Sequence, residues 1–207
     1  MKKDKNENLI NIKATLIGNS GVGKTCIIRR YTENQFNPQQ LTTPGGSYSQ
    51  KILTINNKTI QLDIWDTAGQ EQFRSLGRHF YKDSYIVCLV YDITNKQSFD
   101  ELKESWYSDL KTYGEEFTVV AIVGNKSDCY ENEDINEQEA RAYANSIDAN
   151  YFLVSAKSGD NIELMFSTLV KQYLGPEFME KINKIREDKG EVQKIDKDQK
   201  KKKKKCC

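Results

Sequence analysis

Gly18-Asn19-Ser20-Gly21-Val22-Gly23-Lys24-Thr25 decides the fold of this chain. The stretch fills every fixed position of G-x-x-x-x-G-K-[ST], a phosphate-binding loop. It follows an apolar-alternating run, Ile10 to Ile17, and opens a helix-like stretch from Lys24 to Tyr31. Consecutive backbone N–H groups can wrap a polyphosphate only if the chain turns tightly, which Gly18, Gly21 and Gly23 permit. The following helix points its positive end at the same phosphates. Lys24 is expected to reach the β- and γ-phosphates, and the Thr25 hydroxyl to hold Mg²⁺. The candidate phosphate contacts are Asn19, Ser20, Gly21, Val22, Gly23, Lys24, Thr25 and Cys26.

The loop alone does not choose between ATP and GTP. Asn125-Lys126-Ser127-Asp128 does, because it follows the apolar run Phe117 to Val123 and so lies at the C-terminal end of a buried strand. Guanine presents two N–H donors, and a carboxylate, which only accepts, can take both. Asp128 fits that role. Asn125 can bond guanine N7 or tie this loop to the phosphate loop, and the Lys126 stem can cover the base. Ser155-Ala156-Lys157, after the apolar run Tyr151 to Val154, can supply a backbone N–H for guanine O6.

Outward from these two loops, strand-like runs recur at Ile10–Ile17, Ser47–Ile55, Thr59–Asp66, Tyr85–Asp92, Phe117–Gly124 and Asn150–Ser155. Asn56-Asn57-Lys58 reads as the turn of a hairpin joining the second and third. Helical stretches are expected at Lys24–Thr32, Gln72–Tyr81, Ser98–Tyr113, Glu137–Ile147 and Asn161–Gln172. This alternation predicts an α/β fold: a mostly parallel six-stranded sheet with one antiparallel edge strand and helices on both faces. The run Tyr85 to Tyr91 is apolar throughout, as a central strand should be, with Cys88 as core packing.

The motifs Gly18 to Thr25, Thr43, Trp65-Asp66-Thr67-Ala68-Gly69-Gln70-Glu71, Asn125 to Asp128 and Ser155 to Lys157 stand in the order seen in the Ras superfamily of small GTPases. The chain resembles that superfamily over roughly residues 9 to 174, and within it the Rab family. Ile64 to Glu71, Phe73-Arg74-Ser75 and the two terminal cysteines carry the Rab likeness. The resemblance implies GTP/GDP and Mg²⁺ as ligands, with Thr25, Thr43 and Asp66 as metal ligands. Asp66 would act through a water. Gly69 would bring its N–H against the γ-phosphate, and Gln70 would orient the attacking water. Phe36 lies where the family often places an aromatic against guanine, although a helix-end hydrophobe reads as well.

The first switch departs from the family. A Rab typically has Thr-Ile-Gly followed by a β-branched residue and Asp-Phe, whereas this chain has Thr43-Pro44-Gly45-Gly46-Ser47-Tyr48. Pro44 removes a backbone donor and biases Thr43 toward an extended conformation. The Thr43 N–H remains, but the effector-facing surface is changed. His79, the one histidine, falls in the second-switch stretch and is read as a solvent or packing residue.

The chain has 207 residues and a formal net charge of +1. Six positive charges stand together at Lys200–Lys205, so the rest carries a formal charge of about −5. An acidic body argues against nucleic acid as a partner. The five scattered or terminal cysteines suit reduced cytosolic thiols rather than a disulfide framework. No apolar stretch reaches membrane-span length, and the first eight residues carry no apolar signal core. The expected organisation is an extension (1–8), a GTP-binding domain (9–174) and a flexible tail (175–207).

By resemblance, Lys200–Lys205 with Cys206 and Cys207 matches a doubly prenylated Rab terminus, two lipids plus a basic run being enough for stable anchoring. The implied partners are an exchange factor, a GTPase-activating protein, effectors, a GDP-dissociation inhibitor and a prenylation escort, around a monomeric G domain. The implied place is the cytoplasmic face of an intracellular membrane, cycling with the cytosol. The expected function is a GTPase switch in vesicle traffic. Rival readings are a GTP-bound scaffold with negligible turnover, a signalling GTPase outside vesicle traffic, and a P-loop kinase, against which Asn125 to Asp128 argues.

Overall fold

The computed structural model describes residues 9–40, 46–67 and 82–180. The N-terminal extension, Thr43, the segment carrying Gly69, Gln70 and the Gln72–Tyr81 stretch, and the tail with Cys206 and Cys207 lie outside the described residues.

Among the described residues six strands form one sheet: β1 (Leu9–Ile17), β2 (Gly46–Ile55), β3 (Lys58–Thr67), β4 (Ile86–Asp92), β5 (Val119–Asn125) and β6 (Asn150–Leu153). Their spatial order is β2-β3-β1-β4-β5-β6. Only the β2–β3 pair is antiparallel; β1–β3, β1–β4, β4–β5 and β5–β6 are parallel. The hairpin closes on Ile55 opposite Lys58. Asn56 and Asn57 both take positive φ, 50° and 60°, as a two-residue turn matched to strand twist demands.

The helices are α1 (Lys24–Glu33), α2 (Lys96–Glu101), α3 (Tyr107–Tyr113), α4 (Glu137–Ser146) and α5 (Ile162–Tyr173). A π-helical turn (Leu102–Trp106) joins α2 to α3, and a short 3-10 helix (Ser127–Asn132) follows β5. The expected boundaries shift by one or two residues where side chains intervene. Asn95 caps α2 by accepting from the Ser98 N–H, so that helix starts before Ser98. β5 begins after Thr118, whose hydroxyl bonds the carbonyls of Ser84 and Glu115.

All seven residues of β4 are buried. Cys88 and Val90 face a core shared with α1 and α5, including Ile28, Phe166 and Leu169. Val87, Leu89 and Tyr91 face the opposite core with Phe99, Leu102 and Ala140. That period-two division of one strand between two cores is why its sequence is apolar throughout. Edge strand β2 is mostly exposed or half-buried. It is pinned by Lys51, whose ammonium donates to Tyr31 O at 2.7 Å and to Glu163 at 2.9 Å, above the Tyr31 ring. Past Gly175, residues 176–180 are helical, and Phe178 packs on Tyr173 with ring centroids 5.7 Å apart.

Candidate functional site

Parallel pairing brings the C-terminal ends of β3, β1, β4, β5 and β6 to one edge of the sheet, and the antiparallel hairpin sets the start of β2 beside the end of β3. The loops leaving these ends enclose a cavity of about 550 Å³. Its lining includes Ser20, Gly21, Gly23, Lys24, Thr25 and Cys26 from the phosphate loop and α1, with Phe36 from the segment after α1. Asn125, Lys126, Asp128, Ala156 and Lys157 complete it from the opposite side. The two sequence signals, a hundred residues apart, therefore face one space.

The phosphate loop is held at both ends. Gly18, at φ +142°, lies so close to β4 that a Cβ would sit 2.2 Å from Val90 O. Gly23, at φ +93°, passes Asn125, whose amide nitrogen a Cβ would meet at 2.3 Å. No side chain fits at either place, which accounts for both glycines. Lys24 is 5 % exposed, and its ammonium donates to Gly18 O at 2.6 Å and Asn19 O at 2.8 Å. Burial pushes its pKa down to about 8, against an opposing pull from Asp66. A partly desolvated cation aimed at the loop is a strong partner for phosphate oxygens.

The Thr25 hydroxyl donates to Asp66 Oδ2 at 2.6 Å, and Asp66, near the end of β3, is buried. A hydroxyl and a carboxylate side by side are hard oxygen donors, the set that Mg²⁺ takes alongside phosphate oxygens. The residues present fit that ion.

Of the two roles open to Asn125 in the sequence, the structure has it bridging the loops. Its Nδ2 donates to Val22 O at 2.8 Å and its Oδ1 accepts from the Ala156 N–H at 3.1 Å. Asp128 is set by Ser155, whose hydroxyl donates to Oδ1 at 2.6 Å, with Lys157 Nζ 3.4 Å from Oδ2. Partial burial pushes the Asp128 carboxyl up. The hydrogen bonds from Ser155, its own backbone, Cys129 and Lys157 outweigh that, and its pKa falls below the ordinary carboxylate value. Lys126, at φ +70°, reaches across to Asp92 Oδ2 at 2.5 Å.

Asn19, Val22 and Ser155 do not line the cavity. Asn19 turns its side chain to α2 and the π-helical turn, Val22 offers its carbonyl to Asn125, and Ser155 acts on Asp128. Phe36 both lines the cavity and packs on the core.

Sequence reasoning missed Arg30. Its guanidinium donates to Ala156 O at 2.9 Å and Lys157 O at 2.7 Å, and so fixes the third loop from α1. It also missed Asp92, Pro38, Gln40 and Cys129. No local pattern marks Arg30 or Asp92, because each acts across a long sequence separation.

The sequence pattern that defines the Ras family matches residues 13–175. The human Ras-related protein Rab-30 is 41% identical over 157 residues, covering 76% of this chain and 77% of the relative. The human Ras-related protein Rab-21 is 42% identical over 165 residues, covering 79% and 72%. The fission yeast GTP-binding protein ypt2, from Schizosaccharomyces pombe, is 35% identical over 161 residues, covering 78% and 80%.

Proposed function

The chain belongs to the Rab small GTPases of the Ras family, and we propose that its phosphate loop holds the nucleotide phosphates, Asp128 selects guanine and Gln70 directs hydrolysis. As a member of that group it is a GTPase switch of vesicle trafficking. Membership implies guanine nucleotide and Mg²⁺ as ligands, and exchange factors, activating proteins, effectors and a GDP-dissociation inhibitor as partners.

The arrangement of Asp128 carries this reading. Its ionised carboxylate, oriented by Ser155 and Lys157, stands across a single cavity from a phosphate loop tied to it by Asn125. Guanine N1–H and its amine would donate to Asp128, while Phe36 and the Lys126 stem would flank the base. The N–H groups from Asn19 to Thr25, with Lys24, would hold the phosphate oxygens. Thr25, Thr43 and Asp66 would hold magnesium, which supplies charge neutralisation at those oxygens. Gly69 would donate to the γ-phosphate and Gln70 would orient water for in-line attack, with no covalent intermediate.

Thr43 would sense the γ-phosphate through its N–H, which Pro44 leaves in place. We assign Cys206 and Cys207 as lipid attachment sites and Lys200–Lys205 as an anionic-leaflet contact. Both place the body at the cytoplasmic face of an intracellular membrane, with a prenylation escort as a further partner.

Nucleotide competition tests the base assignment. Asp128→Asn should weaken GTP binding and improve xanthosine triphosphate binding, since xanthine replaces the amine donor with an acceptor. A variant that keeps wild-type affinity and preference for GTP would remove Asp128 from recognition.

A further inference from the structure

We propose that Glu101 and Trp106 are positioning residues for the phosphate loop. They act through the Asn19 side chain and are set in place by the π-helical turn. The inference rests on the reading above, in which that loop holds the nucleotide phosphates.

Asn19 is the second residue of the loop, yet its amide points away from the cavity. Nδ2 donates to Glu101 Oε2 at 2.8 Å, and Oδ1 accepts from Trp106 Nε1 at 2.6 Å. Chemistry leaves one orientation for that amide: an indole N–H can only donate and a carboxylate can only accept. The second Glu101 oxygen accepts from Gln97 Nε2 at 2.7 Å, which ties the carboxylate back to α2. Trp106 is 4 % exposed, so its indole is fixed by the core around it. The clamp thus consists of two anchored groups closing on one loop side chain.

Helix geometry brings these two groups together. In an unbroken α-helix, residues five apart lie about 140° from one another around the axis. Between α2 and α3 the Tyr107 N–H bonds Leu102 O, an i→i+5 step that widens the turn and narrows that angle. Glu101 precedes this wide turn and Trp106 ends it, and both reach Asn19. Such turns recur at functional sites, and here the turn's task is to grip the loop.

The same residue serves Lys24 with its backbone, since Asn19 O accepts from Lys24 Nζ. Holding the Asn19 side chain therefore holds a carbonyl that aims the phosphate-binding lysine. Neither Glu101 nor Trp106 lines the cavity, and both reach the loop through the Asn19 side chain.

Release of a fluorescent N-methylanthraniloyl GDP from the full chain, chased with excess GDP, tests the inference. Glu101→Ala and Trp106→Phe should each speed release about 3- to 10-fold, the effect of one lost hydrogen bond. Glu101→Gln, which keeps an acceptor, should stay within about twofold. In an Asn19→Ala background, Glu101→Ala should add nothing, because its partner is gone. The preference for GDP over inosine diphosphate should not move, since the clamp is remote from the base.

Wild-type release rates in Glu101→Ala and Trp106→Phe would overturn the inference. So would a Glu101→Gln as fast as Glu101→Ala, or an undiminished Glu101→Ala effect without Asn19. Should Trp106→Phe fail to fold, the Glu101 pair and the Asn19 background decide alone. A wild-type protein that retains no GDP would instead overturn the site reading, and this inference with it.

Discussion

Replacing Asn125 with alanine should unfasten the site at its centre. Asn125 is 1 % exposed, and it satisfies Val22 O and the Ala156 N–H, both on buried residues. Alanine leaves both groups without that partner, and each such loss costs about 1–3 kcal/mol. The expected destabilisation is therefore about 2–6 kcal/mol. At about 2–4 °C per kcal/mol for a body of this size, Tm should fall by about 4–24 °C. Circular dichroism on nucleotide-free protein is the assay, since lost ligand affinity then contributes nothing to Tm. Asn125→Asp sharpens the test. It keeps an acceptor for the Ala156 N–H but sets a carboxylate oxygen against Val22 O, so it should be at least as destabilising as alanine. An alanine variant within about 1 °C of wild type would refute the bridge. An aspartate variant clearly more stable than alanine would reduce it to the Ala156 bond alone.

Two further outcomes are expected. Lys24 has a pKa lowered to about 8 by burial, and phosphate oxygens favour its charged form, so nucleotide binding should take up protons. Uptake should grow between pH 7.5 and 9, and affinity should weaken across that range; calorimetry in buffers of different ionisation enthalpy that finds no uptake at pH 9 would refute this. Gln70→Leu should slow single-turnover GTP hydrolysis, most visibly with an activating protein, and leave nucleotide affinity near wild type. Equal rates would remove Gln70 from the mechanism.

The sheet was legible because period-two alternation and turn residues are local. Asn56-Asn57 announces the hairpin, and the unbroken apolar run of β4 announces a strand covered on both faces. The phosphate loop and Asn125–Asp128 were legible because their chemistry requires fixed spacing. The links that join them were not. Arg30 meets the loop at Ala156 from 126 residues away, and Asn19 meets Trp106 across 87. Such contacts depend on how helices cross the sheet, which no window of sequence encodes. The π-helical turn escaped as well, because Phe99, Leu102, Trp106 and Leu110 keep an ordinary helical spacing of apolar residues through it.

The phosphate loop is fastened at Gly18 against Val90 and, through Val22 and Asn125, at its far end, while its tip stays exposed. A Cβ at Gly21 would meet nothing within 4 Å, although φ +80° still charges a side chain about 1–2 kcal/mol there. Ser20 is exposed and under neither constraint. Evolution therefore has one unencumbered position between the two fastenings. Among descendants of this chain, diversity within the loop should collect at Ser20, and the glycines at either end should persist for as long as the sheet does.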